Sequence, residues 1–526
     1  MDSFIEDLTL EGYFDNIHKL PIMLGIDRRV HGAYYTDKYI VNYILNNLNI
    51  KKQSYILDPS CGCGSFIFPL CLRSDNGTKG NLNHIYGIDI DKKAIDYTVE
   101  TIFKLSGSTD KKEIQSHFIN DDFIFDSRTK YDNKYSFADI VESGGFHFII
   151  GNPPFNPEIQ KNKSLMLENK EHLDIAKRSK NVPIYFILRG LEILRKDGVL
   201  AFVLPKTLLY VGKYKEFRQY LLQNFTIMKI VEIGIKFKDV RGEQIILFIK
   251  NKKPGKNSSI EFSSISVRPP YQSEAPFRVR QNNFTSLNVL PTMPNKESYL
   301  IVRGLTNKYR KLINPSEIFV SRGVSLGKNV IKTIPYNIGN DIPKNAFIRG
   351  RGISKLTLKE LTIVDDSNLP RSKILDLMRP KIVAQNIYST ESGLISYLDV
   401  HGIPTTETVS NIFIDNQEKM EYVFALLNSK LMNFYMSQFI FSGSRLTMHV
   451  DGYYLRQLPL IWDTNKEETV RLIKLGRDIA SNQISNCKSY LQEIDKIVYK
   501  LYGIGEDQRK VIESIMNKTL SKKSIW

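Results

Sequence analysis

Between residues 55 and 251 the chain alternates short, largely apolar runs with helical patterns, and several of those runs end in an acid, a glycine or a proline. SYILDPS (54–60), which runs into a turn, HIYGIDID (84–91), HFIND (117–121), FHFIIGN (146–152) and GVLAFVLP (198–205) read as buried strands. KYIVNYILNNL (38–48), KKAIDYTVETIFKL (92–105), YFILRGLEILR (185–195) and residues 214–223 carry the apolar spacing of helices. Strands alternating with helices predict a mostly parallel α/β sheet. The last two runs, IMKIVEIG (227–234) and EQIILFIKN (243–251), have little helix between them and are expected to form an antiparallel edge. After Lys250 the texture changes. NKKPGKNSS (251–259) reads as a linker, followed by short strand-like pieces to about residue 415 and by amphipathic helices over 417–441 and 466–500. The polar stretch 156–182 reads as a long loop, of the kind that is usually functional.

The ends of the strands carry the chemistry. ILDPSCGCGSF (56–66) places Asp58 at a strand terminus, with Gly62 and Gly64 in the turn into a helix. Small residues let the backbone approach a ligand, and a helix N-terminus favours negative charge. The turn lacks the Gly-Lys-Ser/Thr ending of a phosphate loop and the third glycine of a dinucleotide fingerprint. Asp58 is suited instead to a cation. Asp89, at the end of the next strand, can accept both hydroxyls of a ribose. Asp122 and Phe123, after the third, can hold an adenine by its amino group and its face. The set suits a nucleoside that carries a positive charge, S-adenosylmethionine. Cys61 and Cys63 lack the further ligands of a zinc site, so no metal is expected.

NPPF (152–155) follows the fourth strand. Asn152 offers a side-chain carbonyl, and the peptide carbonyl of Pro153 is held by a rigid backbone. Two fixed acceptors can grip both hydrogens of an exocyclic amine and free its lone pair, which is electrostatic stabilisation rather than proton removal. Phe155 can stack on the base. A glutamine side chain has a similar planar amide nitrogen, so the tetrapeptide alone leaves both substrates open.

These motifs resemble the γ class of DNA adenine-N6 amino-methyltransferases of type II restriction–modification systems. HGAYYTDKYIVNYIL (31–45) looks like the motif that precedes the glycine turn, and the resemblance implies that Tyr35 and Thr36 touch the methionine part of the cofactor; Asp37 stands where the family usually has Pro. It implies cofactor contacts at Asp58, Pro59, Cys61, Gly62, Gly64, Asp89, Ile90, Asp122 and Phe123. It implies catalysis at Asn152, Pro153, Pro154 and Phe155, with Phe155 where many members carry Tyr. IKFKDVRGEQIILFIK (235–250) is similar to the segment whose aromatic residue packs on the other face of the flipped base, here Phe237. SRGVSLGKNVI, KIVAQNIYST, SRLTMHVDGYYLRQLPL and neighbouring stretches resemble target-recognition domains. The fold implied is a Rossmann-like S-adenosylmethionine-dependent methyltransferase domain over 31–252, after an N-terminal extension (1–30). A mixed α+β target-recognition domain with C-terminal helices follows over 253–526.

Charge and composition bear on the partner. The 526 residues carry a net +17, divided as +3 over 1–250 and +14 over 251–526, with +11 of it between 251 and 350. A basic half beside a near-neutral one points to a polyanion, expected here to be double-stranded DNA from which an adenine is flipped. Arg303, Lys308, Arg310, Lys311, Arg322, Lys328, Arg349, Arg351 and Arg445 are candidate contacts, the last near Ser442, Ser444, Thr447 and His449. Five lysines of the 156–182 stretch (161, 163, 170, 177 and 180) suit a DNA-facing loop. Four cysteines, an acidic N-terminus and no apolar run of about 18 residues predict a cytoplasmic protein without a membrane span. The enzyme is expected to act as a monomer, with any cognate endonuclease a separate protein. Methylation of an RNA adenine or a protein glutamine, and non-catalytic DNA binding on the same scaffold, are the alternative readings.

Overall fold

The strand runs read from the sequence assemble into a single nine-stranded sheet. The computed structural model describes residues 10–17, 19–25, 36–72, 82–106, 110–126, 138–155, 164–165, 167–234, 242–265, 275–287, 289–292, 295–309, 317–337, 339, 341–444, 446, 448–481 and 487–520. The chain divides into two compact units, Met1–Leu290 and Pro291–Trp526.

In the first unit the strands are β1 (Ile56–Asp58), β2 (Ile85–Asp89), β3 (Phe118–Asn120), β4 (Phe125–Asp126), β5 (Phe146–Gly151), β6 (Ser164–Leu165), β7 (Leu194–Pro205), β8 (Thr226–Gly234), β9 (Gln244–Lys250), β10 (Ser259–Ser264) and β11 (Phe277–Arg280). The main sheet runs β11-β10-β8-β9-β7-β5-β1-β2-β3, while β4 and β6 pair separately. From β3 to β7 all neighbours are parallel, and β9 is antiparallel to both β7 and β8. The predicted mostly parallel α/β sheet is therefore present.

The expected antiparallel edge is half correct. β8 and β9 do pair antiparallel, but β9 inserts between β7 and β8, and neither is an edge. The polar stretch after Lys250 is a connection within this sheet, because β10 joins β8 in parallel and β11 closes the edge. The unit accordingly runs to Leu290, past the boundary expected at 252. Part of the 156–182 stretch also departs from expectation: Lys170–Ser179 is a helix, capped by Asn169, whose side chain accepts from the amides of Glu171 and His172. Its buried positions, His172, Ile175, Ala176 and Ser179, have helical spacing, but two of them are polar.

The order of the parallel strands fixes where a ligand can sit. From β1 the chain goes on to β2 and β3 on one side, and then crosses to β5 and β7 on the other. Such a reversal opens a crevice at the carboxyl ends of the strands, between β1 and β5. Helix Lys92–Ser106 follows β2, and helix Val182–Ile193 precedes β7. Two short helices, Leu10–Asn16 and Leu20–Leu24, contribute Tyr13, Phe14, Leu20 and Leu24 to the core under the first strands, and Ile17 joins them from the turn after the first helix.

The second unit is mixed α+β, as expected for 253–526 though beginning later. A four-stranded antiparallel sheet takes the order Phe319–Arg322, Val409–Phe413, Lys381–Gln385, Ser396–Asp399. A three-stranded sheet joins Val330–Pro335, Glu360–Val364 and Ala346–Phe347. Helices Gln417–Leu427, Lys430–Tyr435, Glu467–Ser481, Cys487–Tyr502 and Glu506–Leu520 follow. Lys381 and Asp399 form an ion pair buried in full; Lys381 Nζ also donates to the carbonyls of Leu377 and Ile403, so its desolvation is offset by hydrogen bonds. No helix among the described residues is long and apolar enough to cross a membrane.

Candidate active site

Four strand ends converge on the crevice. Asp58 ends β1, Asp89 ends β2, Asp122 and Phe123 follow β3, and Asn152 follows β5. Asp58 is 1% exposed, and its Oδ1 accepts the amide of Ser60. No basic side chain among the described residues pairs with it. Burial, and then the neighbouring Asp89 carboxylate, push the Asp58 carboxyl well above its usual range. A buried carboxyl so disfavoured as an anion is a site that a bound cation would relieve.

Asp89 is tied to the glycine turn. Its Oδ2 accepts the Gly62 amide at 2.8 Å and its Oδ1 the Asp91 amide at 2.9 Å. These two bonds fix the orientation of the carboxylate beside the glycine turn. Asn120 Nδ2 donates to the carbonyls of Asp89 and Ile90, which ties β3 to the same loop. Ile90 is 45% exposed.

The turn itself depends on glycine. Gly62 and Gly64 have φ of 52° and 92°, the left-handed region where a side chain is strained. A Cβ on Gly64 would lie 2.8 Å from the Phe68 ring. Gly151 plays the corresponding part across the crevice: a Cβ there would lie 2.6 Å from Asp58 Oδ1. That close approach brings the buried acid against the residue before Asn152. Cys61 and Cys63 are buried, Pro59 is buried beside them, and no cluster able to hold a metal occurs among the described residues.

Asn152 is half-buried, with its side-chain oxygen in the interior. Pro153 is buried; Pro154 and Phe155 are half-buried, and Phe155 packs against the core cluster. Phe123 is deeper than a freely offered stacking ring: it is 6% exposed, tilted against Phe186 at 5.3 Å, with the Arg189 guanidinium 6.0 Å from its centre. Asp122 accepts the Ile124 amide and is half-buried. Thr36 is buried just before helix Lys38–Asn46, whose N-cap is Asp37: the aspartate standing where the family usually has proline accepts the Tyr39 amide. Tyr35 and Phe237 lie outside the described residues, as do Arg310, Lys311, Arg445 and Thr447.

The basic candidates in the second unit divide. Arg303, Lys308, Arg322, Lys328 and Arg351 are exposed and Arg349 is half-buried. Ser442 and Ser444 are interior residues, and the Ser442 hydroxyl accepts the Thr292 amide. They are structural, whereas His449 is exposed. In the first unit, Lys170, Lys177 and Lys180 belong to a helix and its C-cap rather than to a loop.

Sequence reasoning missed three groups, two at the glycine turn and one near the end of helix Val182–Ile193. Tyr13 donates its hydroxyl to the Cys63 carbonyl at 2.9 Å, and Thr98 donates to the Gly62 carbonyl at 3.0 Å. Glu192 accepts the amides of Glu168 and Asn169, both at 3.1 Å, and pairs with His172 Nδ1 at 2.8 Å. Thr98 was legible only as a polar residue on the buried face of an amphipathic helix, and nothing in the sequence marks Tyr13 or Glu192.

With a crossed parallel sheet, a glycine turn after its first strand and acids at successive carboxyl ends, the first unit resembles the class I methyltransferase fold, and a region matching a specificity domain follows it. Residues 83–238 match the family model of the Eco57I restriction-modification methylase, and residues 335–460 that of the TaqI-like C-terminal specificity domain. Both matches liken parts of the chain to methylases of restriction-modification systems. It is 20% identical, over 95% of its length and 43% of the relative's, to a Methanocaldococcus jannaschii protein predicted to be a type II restriction enzyme and methyltransferase. It is 24% identical to the type II methyltransferase M.HincII of Haemophilus influenzae, over 50% of this chain and 46% of that one. Among solved structures, the Type IIL restriction-modification enzyme MmeI, in complex with DNA, has the same fold at a TM-score of 0.51 and 11% identity, covering 98% of this chain and 79% of that one. The chain spans less than half the length of these curated relatives.

Proposed function

We propose that the protein is a site-specific DNA methyltransferase that transfers a methyl group from S-adenosylmethionine to N6 of a flipped adenine in double-stranded DNA. The observation that carries this reading is the contact between the two halves of the site: the buried Asp58 carboxyl lies against Gly151, the residue immediately before Asn152.

The residues present fit the cofactor. Bound S-adenosylmethionine would supply an electrophilic methyl group on a cationic sulfur. Asp58 offers a buried carboxyl whose ionised form a cation would favour, with no basic side chain paired to it among the described residues. Asp89, held at the end of β2 beside the glycine turn, would accept the ribose hydroxyls, and Asp122 with Phe123 would border the place for an adenine. Tyr35 and Thr36 would line the methionine end, and Pro59, Cys61, Gly62, Gly64 and Ile90 the turn.

Asn152 Oδ1 and the Pro153 carbonyl accept the two hydrogens of the target amine, which frees its lone pair toward the methyl carbon. Neither residue takes a full charge, so the gain comes from fixed dipoles and alignment. Phe155 and Phe237 would hold the two faces of the base. The specificity unit supports DNA as the substrate, because a glutamine-modifying enzyme has no use for a TaqI-like specificity domain. In its host such an enzyme would mark sites against a cognate endonuclease; relatives named as both restriction enzyme and methyltransferase carry both functions in their names.

Asn152→Ala tests this. Removing one of two acceptors is expected to lower methyl transfer by at least about 10²–10³-fold and to leave DNA affinity within about twofold. Modified adenines are counted by sequencing DNA from cells that express either form. Near-normal methylation by the variant, or methylation of cytosine by the wild type, rejects the mechanism.

A further inference from the structure

Within the expected N-terminal extension, the described residues 10–17 and 19–25 reach the glycine turn and the helices beside it. We propose that Tyr13 is a positioning residue of the cofactor site, and that residues 10–17 and 19–25 form a strut holding the turn in the shape that binds S-adenosylmethionine; this rests on the reading above.

Three contacts support the strut. Tyr13, 1% exposed, donates its hydroxyl to the Cys63 carbonyl, and its ring meets Phe68 edge-on at 4.7 Å. Phe68 is the ring that would lie 2.8 Å from a Cβ on Gly64, so Tyr13, Phe68 and Gly64 form one packed column under the turn. Glu11 pairs with Lys38 at the first residue of the helix that Thr36 precedes. The Gly25 carbonyl accepts from Lys93, in the helix that follows Asp89. One short segment therefore touches the elements on which three of the cofactor contacts depend.

The hydroxyl is the informative group. Burial holds the Tyr13 phenol protonated far above neutral pH, so it remains a donor. In a planar trans peptide the carbonyl and the amide point opposite ways, so fixing a carbonyl fixes the next amide too. Tyr13 fixes the Cys63 carbonyl, and Thr98 fixes the Gly62 carbonyl. Between them the orientations of both peptide groups that join Gly62, Cys63 and Gly64 are set. The Gly62 amide in turn holds Asp89.

Tyr13→Phe removes one oxygen and keeps the ring. Calorimetry of the full-length protein with S-adenosylmethionine should show a dissociation constant raised by about 3- to 10-fold, the value of one hydrogen bond. The KM for the cofactor should rise by the same factor, with kcat at saturating cofactor and the affinity for DNA unchanged. Thr98→Val, which releases the other carbonyl, should give the same signature. A variant that melts at lower temperature yet binds the cofactor as tightly as wild type overturns the positioning role of its residue. If neither variant shifts cofactor affinity while the wild type binds, the strut is wrong and the methyltransferase reading stands. A wild-type protein that binds no S-adenosylmethionine overturns both.

Discussion

Asp58 shows what a single buried carboxyl implies at neutral pH. Its pKa in the folded protein is raised, by burial first and then by Asp89. Between the unfolded value near 3.8 and the raised folded value, the native state binds more protons than the unfolded one. Stability contributed by this group is therefore present at low pH and lost as pH rises through that window. A bound cation would reverse the loss. Asp58→Asn removes the charge with little change of shape. It should raise the melting temperature of the cofactor-free protein at neutral pH, by about 2–4 °C for each 1 kcal/mol relieved, and abolish the further rise that S-adenosylmethionine gives to wild type. Scanning calorimetry with and without the cofactor checks both halves, and a variant still stabilised by the cofactor would show that Asp58 does not meet its positive charge. This acid was legible in the sequence because it stands between an apolar run and a glycine turn. Its contact with Gly151 was not, because register between β1 and β5 is settled by pairing across about 90 residues of chain.

At the scale of elements, the alternation of strands and helices was legible because each strand run is apolar enough to read alone. Helix Lys170–Ser179 was missed for a physical reason. Its inner face includes His172 and Ser179, which become buried through hydrogen bonds rather than hydrophobicity. His172 lies between Glu192 and Tyr220, with Nε2 2.8 Å from a phenol whose pKa burial and nearby acids push up to about 12. Glu192 also accepts the two amides just before the helix, so one carboxylate anchors the helix start to Val182–Ile193. Glu192→Ala leaves two amides and an imidazole without this acceptor and should cost about 3 kcal/mol in urea denaturation. Glu192→Gln keeps one acceptor oxygen and should recover part of that. A loss under about 1 kcal/mol for the alanine variant would mean that water replaces the carboxylate at little cost. The region of β10 and β11 read only as short strand-like pieces, although Ile260 and Phe262 of β10 alternate with less buried residues, and composition assigned that region to the second unit.

For the whole molecule, the later boundary redistributes the charge. Counted by unit, residues 1–290 carry +7 and residues 291–526 carry +10, which together make +17. The first unit is thus basic in its own right, and charge alone no longer favours the second unit as the one that meets a polyanion; under the proposed function, the specificity-domain match supports that division. The two sources of affinity should separate in a truncation. Phosphate attraction is independent of sequence and falls steeply with salt, whereas base reading needs the recognition surface. A fragment of residues 1–290 keeps the whole nine-stranded sheet, and is expected to bind S-adenosylmethionine with near full-length affinity and DNA only weakly, without a footprint. A fragment cut at residue 258 lacks β10 and β11 and leaves the β8 edge open. It also loses Gln281, whose side chain donates to the Leu222 and Phe225 carbonyls and accepts the Ile227 amide. An exposed, apolar strand edge invites pairing with other chains, so this shorter piece should aggregate while the longer one stays monodisperse in light scattering. A sequence-specific footprint from residues 1–290 would place target reading in the catalytic unit, and a soluble, cofactor-binding fragment 1–258 would show that the two added strands are dispensable to the fold.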